Sequence, residues 1–177
     1  VCADGVTRSL EKKDEQISGD SSAFFTVPDG MSYMLISDGM GSGREAATAS
    51  RIAVEFLRRM LGCGIGARGA LDLLNNFIRH RREECFATVD LLQLDGLSGQ
   101  ARLIKSGAAP SFVIRDGSIF RISSGTIPVG IAAPLSSEQV RFTPEDGDVI
   151  VMMSDGVAQS LEDCAYLADL IIGQWCE

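Results

Sequence analysis

The chain has 177 residues, a formal net charge of −8 and 45% hydrophobic residues. That length and apolar content build one domain around a single core and exclude an intrinsically disordered chain. The acidic balance argues against a nucleic-acid partner, which needs a basic face, and suits a protein that collects cations.

In chain order, residues 1–8 read as a first strand and 9–18 as a charged loop. Two apolar runs, 23–27 and 31–37, flank Pro28-Asp29-Gly30, whose turn chemistry makes them a hairpin. A Gly-rich corner follows at Met40-Gly41-Ser42-Gly43. The apolar period then becomes helical: Ala49, Ile52, Ala53, Phe56, Leu57, Met60 and Leu61 predict a helix from Arg44 that Gly62-Cys63-Gly64 ends. A second helix is expected over 67–82, with Ala70, Leu71, Leu74, Phe77 and Ile78 on one side. Short strands return at 87–94, 101–105, 112–115, 118–122, 140–142 and 149–154, with hairpin points at Leu97-Ser98-Gly99 and Asp116-Gly117. A last helix is expected over 163–175, with Trp175 as a packing residue. Strands grouped together, rather than alternating with helices, predict an α+β domain of two stacked antiparallel sheets flanked by helices.

Two apolar runs end in the same device. Leu35-Ile36-Ser37-Asp38-Gly39 and Val151-Met152-Met153-Ser154-Asp155-Gly156 each carry a strand into Ser-Asp-Gly. The Asp stands where the strand leaves the core, and the Gly lets the backbone turn. Asp20, in Ser18-Gly19-Asp20-Ser21, is a third acid of the same kind. Either Asp-Gly alone is an ordinary turn signal. Three carboxylates that converge from distant strand ends are different, because they repel and resist burial unless a cation joins them. Hard divalent ions such as Mg²⁺ and Mn²⁺ take oxygen ligands of this type, and the Gly39 carbonyl could complete a shell. Two such ions roughly 3.5–4 Å apart activate a water for phosphoryl displacement without any side-chain nucleophile.

The remaining candidates are weaker. His80, the one histidine, lies in Arg79-His80-Arg81-Arg82 and reads as a solvated helix face rather than a triad member. The three arginines around it could dock an acidic partner, though a solvated helix end is their default. Lys105 is either a cation beside a phosphoryl group or an exposed strand-end lysine. Met31, Met34, Met40, Met152 and Met153 read as core fillers. The five cysteines, Cys2, Cys63, Cys85, Cys164 and Cys176, are odd in number and lack a CxxC spacing, which points to reduced thiols in a cytosolic compartment. No stretch approaches the roughly 20 apolar residues of a membrane helix, and no signal peptide is visible. A start at Val1 reads as a piece of a longer protein.

Taken together, Ser18-Gly19-Asp20-Ser21, Ser37-Asp38-Gly39-Met40-Gly41-Ser42-Gly43 and Met153-Ser154-Asp155-Gly156 resemble the metal motifs of the protein phosphatase 2C-like, metal-dependent serine/threonine phosphatases. Thr88-Val89-Asp90, the stretch from Lys105 to Phe112, and Ile127-Pro128-Val129-Gly130-Ile131 are similar to the phosphatase domains of the stage II sporulation protein E branch. The resemblance runs over about 4–156. It implies a β-sandwich with a pair of Mn²⁺ or Mg²⁺ ions at one end. It also implies hydrolysis of phosphoserine or phosphothreonine on a protein by metal-activated water. Carried over by motif, Asp38 would bridge both metals, Gly39 would offer its carbonyl, and Asp20 and Asp155 would complete the shells. The implied substrate is a phosphorylated anti-sigma factor antagonist in bacterial sigma-factor control. The helices over 44–61 and 67–82 would be regulatory and a surface for homodimers. The expected location is the cytoplasmic face, with any membrane anchor in a longer parent. The family pattern continues to an Asp-Asp-x-Thr on a final strand, which Asp163 and Asp169 do not match. A single domain over 1–177 lacking that strand is therefore expected. Two rivals follow: a catalytically inactive phosphatase-like sensor or scaffold, and an aspartyl-phosphate hydrolase, whose Asp-x-Asp is missing at Asp38-Gly39-Met40.

Overall fold

The structure, a computed structural model, describes residues 3–9, 17–81, 85–157 and 166. The elements run β1 (Asp20–Thr26), β2 (Met31–Asp38), α1 (Gly43–Gly62), α2 (Ala67–Arg79), β3 (Val89–Asp95), β4 (Ala101–Ser106), β5 (Ser111–Arg115), β6 (Ser118–Ile122), β7 (Glu138–Phe142) and β8 (Val149–Val151). They form a five-stranded sheet in the order β1-β2-β3-β4-β7 and a three-stranded sheet in the order β6-β5-β8. Every pairing is antiparallel. The expected α+β architecture of two antiparallel sheets with helices is the one observed.

The pleat decides which residues can meet. Alternate side chains of a strand point to opposite faces. On the larger sheet, Tyr33, Leu35, Val89, Leu91 and Ile104 face the helices and share one core with Ala49, Ala53, Leu57 and Leu61 of α1 and Leu71 and Leu74 of α2. Burying each of these leucines contributes about 1.5–3 kcal/mol. Small residues at Ala46, Ala49 and Ala53 are what let α1 lie close on the strands. The other face carries Met34, Ile36 and Asp38 of β2, Asp90 and Leu92 of β3, and Leu103 and Lys105 of β4. It looks toward the smaller sheet, whose Phe112 packs with Met153. Arg115 of β5 is tied to Glu145 and to both carboxylate oxygens of Asp148, which bind the approach to β8.

Several expectations shift. Residues 3–9 form no strand, α2 stops at Arg79 with His80 as its cap, and β3 starts at Val89. The strand expected over 149–154 stops at Val151, so Asp155 stands in a turn beyond it. Met40 is half exposed rather than a core filler, because it sits on the turn between β2 and α1. The helix expected over 163–175, with Trp175, lies outside the described residues apart from Tyr166. No helix among the described residues is long and apolar enough to cross a membrane.

Candidate metal centre

The β1–β2 hairpin sets Asp20 directly opposite Asp38. Both belong to the face that looks toward the smaller sheet. Asp155 reaches the same corner from the other sheet, carried by the turn that follows Met152 and Met153. Asp38 is the hub: it lies within hydrogen-bonding reach of both Asp155 and Asp20. Burial first, then the hydrogen bond with Asp155 and the negative charge of Asp20 and Asp155, push the Asp38 carboxyl up to about 7. Ser154 Oγ donates to Asp20 Oδ2 at 2.7 Å, so the residue before Asp155 fastens the two sheets at this point.

The backbone here is held as firmly as the side chains. Gly39 N–H donates to Gly19 O at 3.1 Å, and Met40 N–H donates to Phe86 O at 2.9 Å. A Cβ on Gly39 would stand 1.9 Å from the Ala46 carbonyl oxygen, so only glycine lets α1 lie against this turn. The corner opens into a cleft of about 710 Å³ that includes Asp20, Asp38, Gly39 and Asp155 on its wall. Arg8 also lines it, from the segment before β1. A second cavity of about 390 Å³ lies toward Tyr33, Leu94 and Asp148, away from these acids.

The donor set suits a hard cation. Three carboxylates from three separate segments meet with no ammonium or guanidinium pairing with Asp38 among the causes of its shift. Such a group can be neutral only by holding protons or a cation. The acids meet as two contacts sharing Asp38, and no set of three or more His, Cys, Asp or Glu among the described residues closes into a cage as it stands.

Lys105 answers to neither sequence reading. It is 2% exposed and stands outside the cleft. Its Nζ donates to Asp90 Oδ2 at 2.6 Å and to Ser111 Oγ at 2.7 Å, and Ser111 Oγ donates to Asp90 Oδ2 at 2.5 Å. Register explains this, since Asp90 lies opposite Lys105 on the inward face. Burial outweighs attraction on both partners, pushing the Asp90 carboxyl up and the Lys105 ammonium down. Asp90 Oδ1 is buried without a hydrogen-bond partner. Ser154 and Thr88 entered the sequence reading only as members of their motifs, with no role of their own, and Arg8 was not singled out. Each acts through a position that only pairing or folding brings to the corner.

The sequence profile of the family described as "Stage II sporulation protein E (SpoIIE)" matches residues 28–168. Among curated proteins, the chain is 32% identical over 142 residues to stage II sporulation protein E of Priestia megaterium, covering 80% of this chain and 24% of that one. It is 30% identical to stage II sporulation protein E of Bacillus subtilis (strain 168), covering 80% and 17%. The chain thus spans about a quarter or less of the length of the curated relatives it matches. A solved structure of the PP2C phosphatase domain and a fragment of the regulatory domain of SpoIIE from Bacillus subtilis superposes with a TM-score of 0.79 at 27% identity. That match covers 89% of this chain and 47% of the other.

Proposed function

The chain belongs to the stage II sporulation protein E family, and from that premise we propose that it is the core of a metal-dependent protein serine/threonine phosphatase. The observation that carries this reading is the meeting of Asp20, Asp38 and Asp155 at one corner of the sandwich, with Asp38 pushed up to about 7 by burial and by its two acidic neighbours. Asp20, Asp38 and Asp155, with the Gly39 carbonyl, are the groups that would hold Mn²⁺ or Mg²⁺. When bound, such ions supply an activated water and offset charge on the phosphoryl group.

The chain's own residues do the rest. Ser154 holds Asp20 in place by its 2.7 Å hydrogen bond. Gly39 leaves room for α1 to lie against the turn. Arg8 lines the cleft and would offer a cation to a phosphate monoester there. The substrate we assign is a phosphoserine on a protein, an anti-sigma factor antagonist by the resemblance of the motifs.

The test is hydrolysis of a phosphoserine peptide by the chain with Mn²⁺ present. Hydrolysis that needs Mn²⁺ and is lost in Asp38→Asn is the expected outcome; metal-independent hydrolysis that survives the substitution would refute the reading. One observation favours the alternative of a non-catalytic sensor or scaffold: no closed cage is preformed among the described residues. Failure of the wild-type chain to take up Mn²⁺ in calorimetry would support that alternative.

A further inference from the structure

We infer that Thr88 is a positioning residue for Asp38, acting through an exchange of hydrogen bonds where β2 passes the residues that lead into β3. This rests on the reading of Asp38 as a metal ligand. The β2–β3 register pairs Ile36 with Asp90. Continued by two residues it sets Asp38 opposite Thr88, and the next pair, Gly39 with Ala87, is an observed bridge.

A hydrogen-bonded antiparallel pair exchanges two backbone N–H···O=C bonds. Here one is made in the ordinary way: Thr88 N–H donates to Asp38 O at 2.8 Å. The reciprocal bond is replaced. Asp38 N–H donates instead to Thr88 Oγ1 at 2.9 Å, and Ser37 Oγ donates to Thr88 O at 2.7 Å. Each backbone group that the ladder would have paired is satisfied by a hydroxyl from the opposite strand.

The exchange matters because of what Asp38 must do. Its carboxylate is partly buried and repelled by Asp20 and Asp155, so keeping it at the corner requires that its backbone be held on both sides. On one side β2 is held by β1, through Asp38 opposite Asp20 and Gly39 N–H on Gly19 O. On the other side the hydroxyl exchange lets the strand leave the flat ladder without orphaning a polar group. The clamp has a firm base, because the neighbouring Ala87 O accepts from Val129 N–H at 2.9 Å.

Two variants separate positioning from bulk stability. Thr88→Val keeps the shape and removes the acceptor; Thr88→Ser keeps the hydroxyl. In calorimetric titration of Mn²⁺ into the full chain, Thr88→Val is expected to bind about 10–100-fold more weakly, the range for removing an outer-shell partner, while Thr88→Ser stays close to wild type. In the metal-free chain, NMR amide exchange of Asp38 is expected to accelerate in Thr88→Val with Tyr33 and Leu35 unchanged. If Thr88→Val fails to fold, Ser37→Ala decides, with a smaller loss of affinity in the same direction. Normal Mn²⁺ affinity in Thr88→Val, equal losses in the Val and Ser variants, or unchanged Asp38 exchange would each overturn the inference. A wild-type chain that takes up no Mn²⁺ sinks the metal reading and the clamp's purpose with it. Normal uptake by Thr88→Val beside an inert Asp38→Asn sinks the clamp alone.

Discussion

Two groups of charged side chains occupy the same inward face of the larger sheet, and they solve the problem of a buried carboxylate in opposite ways. Asp90 lies opposite Ile36, two residues along β2 from Asp38. It is matched from within the chain: Lys105 gives it an ammonium and Ser111 a hydroxyl, all three buried. Asp38 is met by two more acids instead, and burial and repulsion together raise it to about 7. The difference teaches how structure separates scaffold from site. A buried charge paired by its own chain ties the two sheets together through Ser111. A partly buried charge met only by other acids is one that a cation from outside would relieve.

The comparison can be broken at the core group first. Lys105→Met leaves Asp90 buried without its cation and is expected to cost about 3–5 kcal/mol in urea unfolding. The pair Asp90→Leu with Lys105→Met is expected to recover most of that loss, since a well-packed apolar pair often replaces a buried ion pair at little cost. A double variant as unstable as the single one would mean that the group does more than span the sheets.

At the corner the signs reverse. Asp38→Asn is expected to abolish measurable Mn²⁺ uptake, a larger loss than the roughly 100-fold limit typical of outer-shell changes. In chelator at pH 8 it is expected to stabilise the metal-free chain, by about 1–3 kcal/mol after allowance for solvent screening. Loss of stability instead would show that the repulsion at Asp38 is already relieved in the metal-free protein.

Asp148 provides an intermediate case, a carboxylate matched by a partly exposed arginine. The hydrogen bonds from Arg115 hold its carboxyl below the usual carboxylate range. A lowered folded value means the contribution is full above the ordinary carboxylate value of about 4 and is lost as pH falls through the lower one. Asp148→Asn is therefore expected to lower stability at neutral pH by about 1–2 kcal/mol and to flatten its fall below pH 4. Denaturation midpoints between pH 2 and 7 check this, and parallel acid limbs would contradict it. The smallest expected effect is Ser154→Ala, which removes the donor to Asp20 and should weaken Mn²⁺ binding by about tenfold or less, with the unfolding midpoint nearly unchanged.

Much of this molecule was legible beforehand. The hairpin around Pro28-Asp29-Gly30, the two helices, and the grouped strands follow from local periodicity and turn residues, and the observed elements match them within a few residues. Asp38 and Asp155 were singled out because each follows an apolar run in the same Ser-Asp-Gly device, and Asp20 by its Ser-Gly-Asp-Ser setting. Lys105 was not, because a strand-end lysine next to a glycine turn looks exposed until the register sets it across from Asp90. The strand before Asp155 was drawn three residues too long, since Met152 and Met153 are buried without strand pairing, Met153 by packing with Phe112.

By itself, then, the order of residues determined most of the segments that become strands and helices, and that Asp38 and Asp155 stand past the ends of apolar runs. Those are local facts, set by backbone sterics and by the alternation of apolar side chains. Only the tertiary structure decided that Asp155 comes to the corner of Asp20 and Asp38, that Ser154 reaches back to Asp20, and that Thr88 replaces a ladder bond beneath Asp38. These contacts join residues tens to more than a hundred positions apart. Their existence depends on strand register and on the spacing between sheets, which no local stretch of chain specifies.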